Sequence, residues 1–374
     1  MKKLIAIIFS VGMLATSCSD FLKEVPKDEI SSGQFFTNPD HAYNAVNALY
    51  RSGAPSLFSG SVYSGTRIMF GPYTSGLIDN EYKGQEIHVQ HAQQLTLNGV
   101  NLSSYLGGIY RDLYLGISRA NNAIKYIPTT PGLPEAEADR LMAEARLFRA
   151  LNYYFLVRFF GGVPLITEPY ESLDNLYVER ASVADIYALI VGDLQYATQQ
   201  GRLPNTTMAS NGNRITHGIA KSLLAEAYLT MSGYPLQANH YADAAREARE
   251  LIAGGVYGLT QHDRNAQGEV IPAGSAYNKA RLADNLPNEQ IYYFEYTVGI
   301  QSSQYAQWAF PTNISPELAY AIANNAYAPT PSLLQAYHPQ DDLRRQEKQY
   351  FHSSYTRSDG GVTNFQWAPH LWYD

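Results

Sequence analysis

Residues 143–169 read AEARLFRALNYYFLVRFFGGVPLITEP, and this stretch decides the fold. Leu147, Leu151, Tyr154 and Phe155 recur at helical spacing, so one long helix is expected over residues 135–160. Pro134 and the acids after it suit the positive start of such a helix, and Gly161-Gly162 ahead of Pro164 closes it. Arg158, Phe159 and Phe160 end that stripe, which favours packing and capping roles over a binding patch.

The same periodicity extends outward in both directions. Upstream, Tyr105, Leu106, Ile109, Leu113, Ile117, Ala120 and Ile124 form an apolar stripe over residues 104–127. Asn38-Pro39-Asp40 starts an earlier helix carrying Ala42, Ala45, Val46, Leu49 and Tyr50. Downstream, helices are expected over residues 182–200 behind Ser182 as N-cap, over 216–232 ending at Gly233, and over 239–253 ending at Gly254-Gly255. The last two set Ala220, Leu224, Ala227 and Tyr228 opposite Ala244, Ala248 and Leu251. Small residues at such a crossing let helices approach as tetratricopeptide-type hairpins do, although plain hairpin packing explains the pattern equally well. The fold class is therefore mainly α.

Two regions break the pattern. Residues 52–103 are rich in Gly, Ser and Tyr and read as a structureless insertion; its aromatic and charged content marks it as functional. Residues 255–374 are loop-rich, hold all three tryptophans (Trp308, Trp367 and Trp372), and offer one strand-like run, EQIYYFEYTV, from Glu289 to Val298.

The first residues, MKKLIAIIFSVGMLATS, combine a basic tip with an apolar run from Leu4 to Leu14. That run is too short to span a bilayer and reads as a secretory signal over residues 1–17. Cys18, the only cysteine, follows directly. It cannot form an internal disulfide, and lipid attachment at a new N-terminus gives it a role. Residues 18–35 then read as a lipidated tether, residues 36–254 as a helical scaffold carrying the 52–103 insertion, and residues 255–374 as a separate loop-rich portion. Loss of residues 1–17 removes two of the 27 basic residues and no acid. The remaining 25 face 34 acids, a net charge of −9 that disfavours nucleic acid as a partner.

Thirty tyrosines against 16% charged residues is the outstanding compositional feature. A tyrosine offers an apolar ring face and a polar tip, which suits helix packing and equally suits stacking on sugar rings. Catalytic readings find little support. His88 and His91 lack a third ligand by pattern, Glu168 and Glu171 sit in a Pro-containing turn, and neither a phosphate loop nor a Gly-x-Ser-x-Gly elbow is present. No catalytic residue, metal or cofactor is assigned. Ligand contacts are sought instead in the loops, where Tyr63, Arg67, Tyr73, Asp79, Asn80 and Tyr82 mix flat rings with bidentate polar groups.

Several blocks carry a family likeness. The 143–169 stretch closely resembles the signature helix and Gly-Gly-Val-Pro turn of the RagB/SusD family of outer-membrane nutrient-binding lipoproteins. Agreement continues in order through Cys18-Ser19-Asp20-Phe21-Leu22, Gly116-Ile117-Ser118-Arg119-Ala120-Asn121-Asn122, Asn213-Arg214-Ile215-Thr216 into Ala220-Lys221, and Tyr241-Ala242-Asp243-Ala244-Ala245. It ends with Asn288-Glu289, then Pro329-Thr330-Pro331-Ser332-Leu333-Leu334 leading to Asp342-Leu343-Arg344.

The resemblance implies a SusD-like fold, with tetratricopeptide-like hairpins as scaffold and a ligand site built from loops. It also implies a surface-exposed, lipid-anchored place on the outer membrane, and a SusC-like TonB-dependent transporter barrel over which the protein sits as a lid. The family's ligand residues fall in the 60–82 loop and in a later one, here near Tyr277 to Trp308, where Tyr305 and Trp308 are the leading aromatics. Members usually continue into a further helical region, whereas this sequence stops at His370-Leu371-Trp372-Tyr373-Asp374, as a truncated form would. The expected task is capture of oligo- or polysaccharide for the transporter. A peptide-binding lipoprotein of the same architecture and a helical-repeat adaptor without a ligand are the alternatives.

Overall fold

The computed structural model describes residues 35–57, 61–63, 70–80, 87–170, 172, 176–282, 288–296, 309, 326–338 and 343–370. Its scaffold is a succession of helices: α1 (Pro39–Leu49), then, beyond two short helices α2 (Phe70–Thr74) and α3 (Ile87–Gln93), α4 (Ser103–Tyr126), α5 (Glu135–Phe160), α6 (Val183–Ala197), α7 (His217–Ser232) and α8 (Tyr241–Ala253). From α4 to α8 each helix packs on the next in the chain, and α1 lies across α4 and α5. The fold is mainly α, as the periodicity implies, with the tetratricopeptide-like hairpins that the family resemblance implies. Among the described residues, no helix is long and apolar enough to cross a membrane.

Local chemistry accounts for the helix ends. Asn38 caps α1 by accepting from the amide of His41, with Pro39 in the first turn. Ser182 caps α6 through the amide of Asp185 at 3.1 Å, while the Asp185 carboxylate turns back to the Ser182 hydroxyl at 2.6 Å. Glu135 and Glu137 occupy the positive start of α5, and Gly161 ends it at a positive φ of 67°.

Helix α5 differs from its neighbours in being buried on nearly all sides. Leu141, Ala145, Leu147, Phe148, Tyr153 and Leu156 are almost wholly enclosed, and so are three polar residues, Glu144, Arg149 and Asn152. A buried polar side chain must be satisfied in place, and each of these reaches a different element. Arg149, 5% exposed, grips Asp193 of α6 through two bonds of 2.7 and 2.9 Å, and also donates to Asn121 of α4 and to the Thr167 carbonyl. Glu144 accepts from Arg140, from Arg214 and from the Tyr50 hydroxyl at the end of α1.

Three departures from the sequence reading stand out. Residues 52–103 are not structureless: α2, α3 and the two-residue strand β1 (Ile78–Asp79) lie within them. β1 pairs antiparallel with β2 (Ala328–Pro329), and Tyr73, Val89 and Ala92 join Ala309, Ala326 and Tyr327 in a second, smaller core. Helices of five and seven residues are too short to show a period in sequence. The run beginning at Glu289 is not a strand in its described part. Among the described residues, 289–296 find no strand partner, and Ile291, Tyr292 and Tyr293 pack against the main core instead, so side-chain packing overrides β propensity. Residues 297–298 lie outside the described residues.

Beyond the short helices α9 (Ala276–Leu282) and α10 (Pro331–Ala336), an unanticipated hairpin joins β3 (Phe351–Thr356) to β4 (Val362–Pro369). The alternation of Thr363, Phe365 and Trp367 with more exposed Val362, Asn364 and Gln366 is its signature, with Asp359-Gly360-Gly361 at the turn.

Two expectations follow. Asp193→Ala leaves the Arg149 guanidinium buried without its carboxylate and should cost about 3–5 kcal/mol in urea unfolding; a loss under about 1 kcal/mol contradicts the role given to the pair. In the hairpin, His352 is 2% exposed with the His370 ring 5.1 Å away. Burial, then the neighbouring His370, holds the His352 pKa down to about 4. An unfolded histidine titrates near 6.5, so the unfolded chain takes up a proton that the hairpin refuses. This stabilising contribution is complete above about pH 6.5 and is lost as pH falls toward 4. Amide-exchange protection of residues 351–369 should fall across that window and flatten in His352→Phe; a pH-independent wild type contradicts it.

Candidate functional site

The chain leaves α1 through a junction that builds one wall of a cleft. Tyr50 sets its ring edge-on to Phe148 at 4.7 Å, donates its hydroxyl to Glu144 at 2.5 Å, and accepts from the amide of Ile215 at 2.9 Å. Burial, reinforced by the Glu144 carboxylate, pushes this phenol well above its ordinary pKa, so it stays protonated as a donor. The Arg214 guanidinium braces Tyr50, lying 2.8 Å from Glu144 and 5.0 Å over the Tyr50 ring.

The loop after Tyr50 is pinned by Asn152 of α5, whose amide oxygen accepts from the backbone of Ala54 at 2.8 Å. Gly53 turns at a φ of 67°, and a Cβ added there would collide with that amide oxygen. Gly116 of α4 meets the same side chain, with an added Cβ 2.7 Å from its oxygen. Further along, the Ser61 hydroxyl donates to the Gly53 carbonyl.

Between this loop and residues 292–295 lies a cleft of about 320 Å³, lined on one side by Arg51, Pro55 and Leu57. Met208 and Asn213 face it, and Tyr292, Tyr293, Phe294 and Glu295 close it. Its volume lies near the lower end for small-molecule sites, and its lining joins aromatic faces to a few polar groups. Asn213 is held at a φ of 60° and accepts from the Tyr293 hydroxyl at 2.5 Å. The Phe294 ring lies 4.7 Å from Tyr63 and 5.3 Å from Tyr292, and Tyr63 also touches Phe155 of α5. Such a surface can stack a ring and bond its hydroxyls. Among the described residues, no three His, Cys, Asp or Glu side chains are grouped to hold a metal ion.

The residues expected from sequence are not all brought together. Tyr63 backs the cleft through Phe294. Tyr73 does not serve as a stacking face: it is 1% exposed in the second core, with its hydroxyl donating to the Ala326 carbonyl at 2.7 Å. Asp79 sits in β1 and accepts from Gln93 and from the amide of Asn80, and Asn80 is itself buried. These groups brace the insertion against the segment near residue 328. Cys18, Arg67, Tyr82, Tyr305 and Trp308 lie outside the described residues. Ala309, next to Trp308 in the chain, belongs to the same small core as Tyr73.

Sequence reading missed Arg51, Asn213 and the aromatic trio at 292–294. Three consecutive aromatics were the available signal, since a half-buried strand would leave the middle ring in solvent.

A family model described as starch-binding, associating with the outer membrane, matches residues 71–229. A SusD-like protein of Bacteroides ovatus is 29% identical over 237 residues, which make up 63% of this chain and 40% of that protein. The chain thus spans less than half of that relative's length. A SusD superfamily protein from Parabacteroides distasonis superposes with a TM-score of 0.74 at 25% identity, covering 89% of this chain and 69% of the other. Surface glycan-binding protein A from Bacteroides fluxus shares the fold, with a TM-score of 0.67 at 18% identity over 90% of this chain and 69% of its own. The helical hairpins, the ordered sequence blocks and these matches agree in likening the chain to the RagB/SusD family.

Proposed function

We propose that the protein is a lipid-anchored, surface-exposed outer-membrane protein that binds oligo- or polysaccharide and passes it, unaltered, to a TonB-dependent transporter. The observation that carries this reading is the cleft of Arg51, Asn213, Tyr292, Tyr293, Phe294 and Glu295, which pairs ring faces with donors and acceptors of both charge signs. A neutral ligand with apolar ring faces and many hydroxyls matches that mixture. The description of the matching family model as starch-binding, and the glycan-binding title of the Bacteroides fluxus protein, support the ligand class. The signal-like residues 1–17 and the single Cys18 behind them support the anchor. Arg67, Tyr82, Tyr305 and Trp308 are proposed to extend the contact surface around Tyr63.

Affinity electrophoresis and calorimetry against soluble starch, laminarin and mannan test the binding role. Phe294→Ala should weaken the best-bound glycan about three- to tenfold, the worth of one stacked ring, with an unchanged melting temperature. Retention by none of the polysaccharides, together with calorimetric binding of peptides, would replace the sugar by a peptide ligand. For the anchor, cells fed labelled palmitate should label the protein, and Cys18→Ser should abolish the label and release the chain from the membrane fraction. An unlabelled, soluble parent protein contradicts it.

A further inference from the structure

A second hollow, of about 420 Å³, opens beside the C-terminal end of α5 and shares no lining residue with the cleft. Its base holds Tyr110 and Tyr114 of α4, with rings 4.8 Å apart, and Tyr110 stands edge-on to Phe160 at 5.2 Å. The Tyr114 hydroxyl donates to the Pro164 carbonyl at 2.7 Å. Burial raises the Tyr114 pKa, and the neighbouring Tyr110, Tyr153 and Tyr170 phenols raise it further.

The opposite rim is fixed. Arg180 donates to the Gly162 carbonyl at 2.6 Å and the Phe160 carbonyl at 2.9 Å, while the amide of Ala181 donates to Val163 at 2.9 Å. On this rim Tyr177 is 100% exposed between Leu176 and Val178, which also face solvent, and Tyr170, also lining the hollow, is 50% exposed. Aromatic area left in water on a braced segment is a contact surface awaiting a ligand. Its chemistry narrows the ligand. Glu179 beside Arg180 gives no single sign of charge to select an anion or a cation, and the solvent-facing Tyr177 joins an apolar ring to a hydroxyl, which suits a ligand with both ring faces and hydroxyl groups.

We infer that this hollow is a second carbohydrate-contact site, which engages sugar residues of a polymer held at the same time in the cleft. The inference rests on the glycan reading of the cleft. Two linked contacts raise retention of a long chain far more than of a short oligosaccharide, because the second binding step becomes intramolecular.

The test uses the purified full chain with soluble starch and laminarin on affinity gels, and maltotriose and laminaritriose in the calorimeter. Tyr170→Ala/Tyr177→Ala should weaken retention by the better-bound polysaccharide about fivefold or more, and leave the matching trisaccharide affinity within about twofold. If that double variant folds poorly, Tyr177→Ser alone serves, since its ring touches solvent only. Retention equal to the parent overturns the inference while sparing the cleft. Weaker retention in the double variant with Phe294→Ala unaffected leaves the hollow as a lone glycan site and overturns the two-site inference together with the cleft. No retention of either polysaccharide by the parent overturns both.

Discussion

The fold turns on the guanidinium of Arg149, held inside a helix bundle by the carboxylate of Asp193. A charge so placed tolerates little freedom, because any movement of α6 relative to α5 would expose it to an apolar interior without its partner. Glu144 does the same toward α1 and the loop before α7, and Asn152 toward the loop that walls the cleft. One helix thus carries three separate instructions for where its neighbours sit. Apolar contact alone would permit sliding; these bonds fix the register.

That arrangement ties scaffold to site. Tyr50 packs on Phe148 and bonds to Glu144, so the floor of the cleft is an outgrowth of the core. Met208 and Asn213 come from the stretch before α7, and the Tyr50 to Ile215 bond spans 165 positions of sequence. The cleft is preorganised in its backbone and floor, and its upper rings rest on one another.

Sequence disclosed the parts that obey a period. Helices α4 and α5, at 24 and 26 residues, repeat their stripe often enough to be read with their ends, and Ser182 announced the start of α6 by its capping chemistry. Helices α2 and α3 lack a full repeat. The run from Glu289 has the composition of a strand, but a strand is defined by a partner, and pairing is a non-local property. For the same reason sequence could not tell Tyr63 from Tyr73: both are loop tyrosines in sequence, and only the second core, assembled partly from residues near 309 and 326, buries the latter. Asn213 and Arg51 were invisible because the cleft joins segments that no local pattern connects.

The crowding of Gly53 and Gly116 around Asn152 has an evolutionary consequence. While Asn152 is present neither glycine can gain a side chain, since a Cβ at either would evict the asparagine that holds the loop. Arg51, Pro55 and Leu57, on the same loop, carry no such mutual constraint from Asn152. The rim can therefore change its side chains while the Asn152 anchor beneath it holds the backbone of the loop in place.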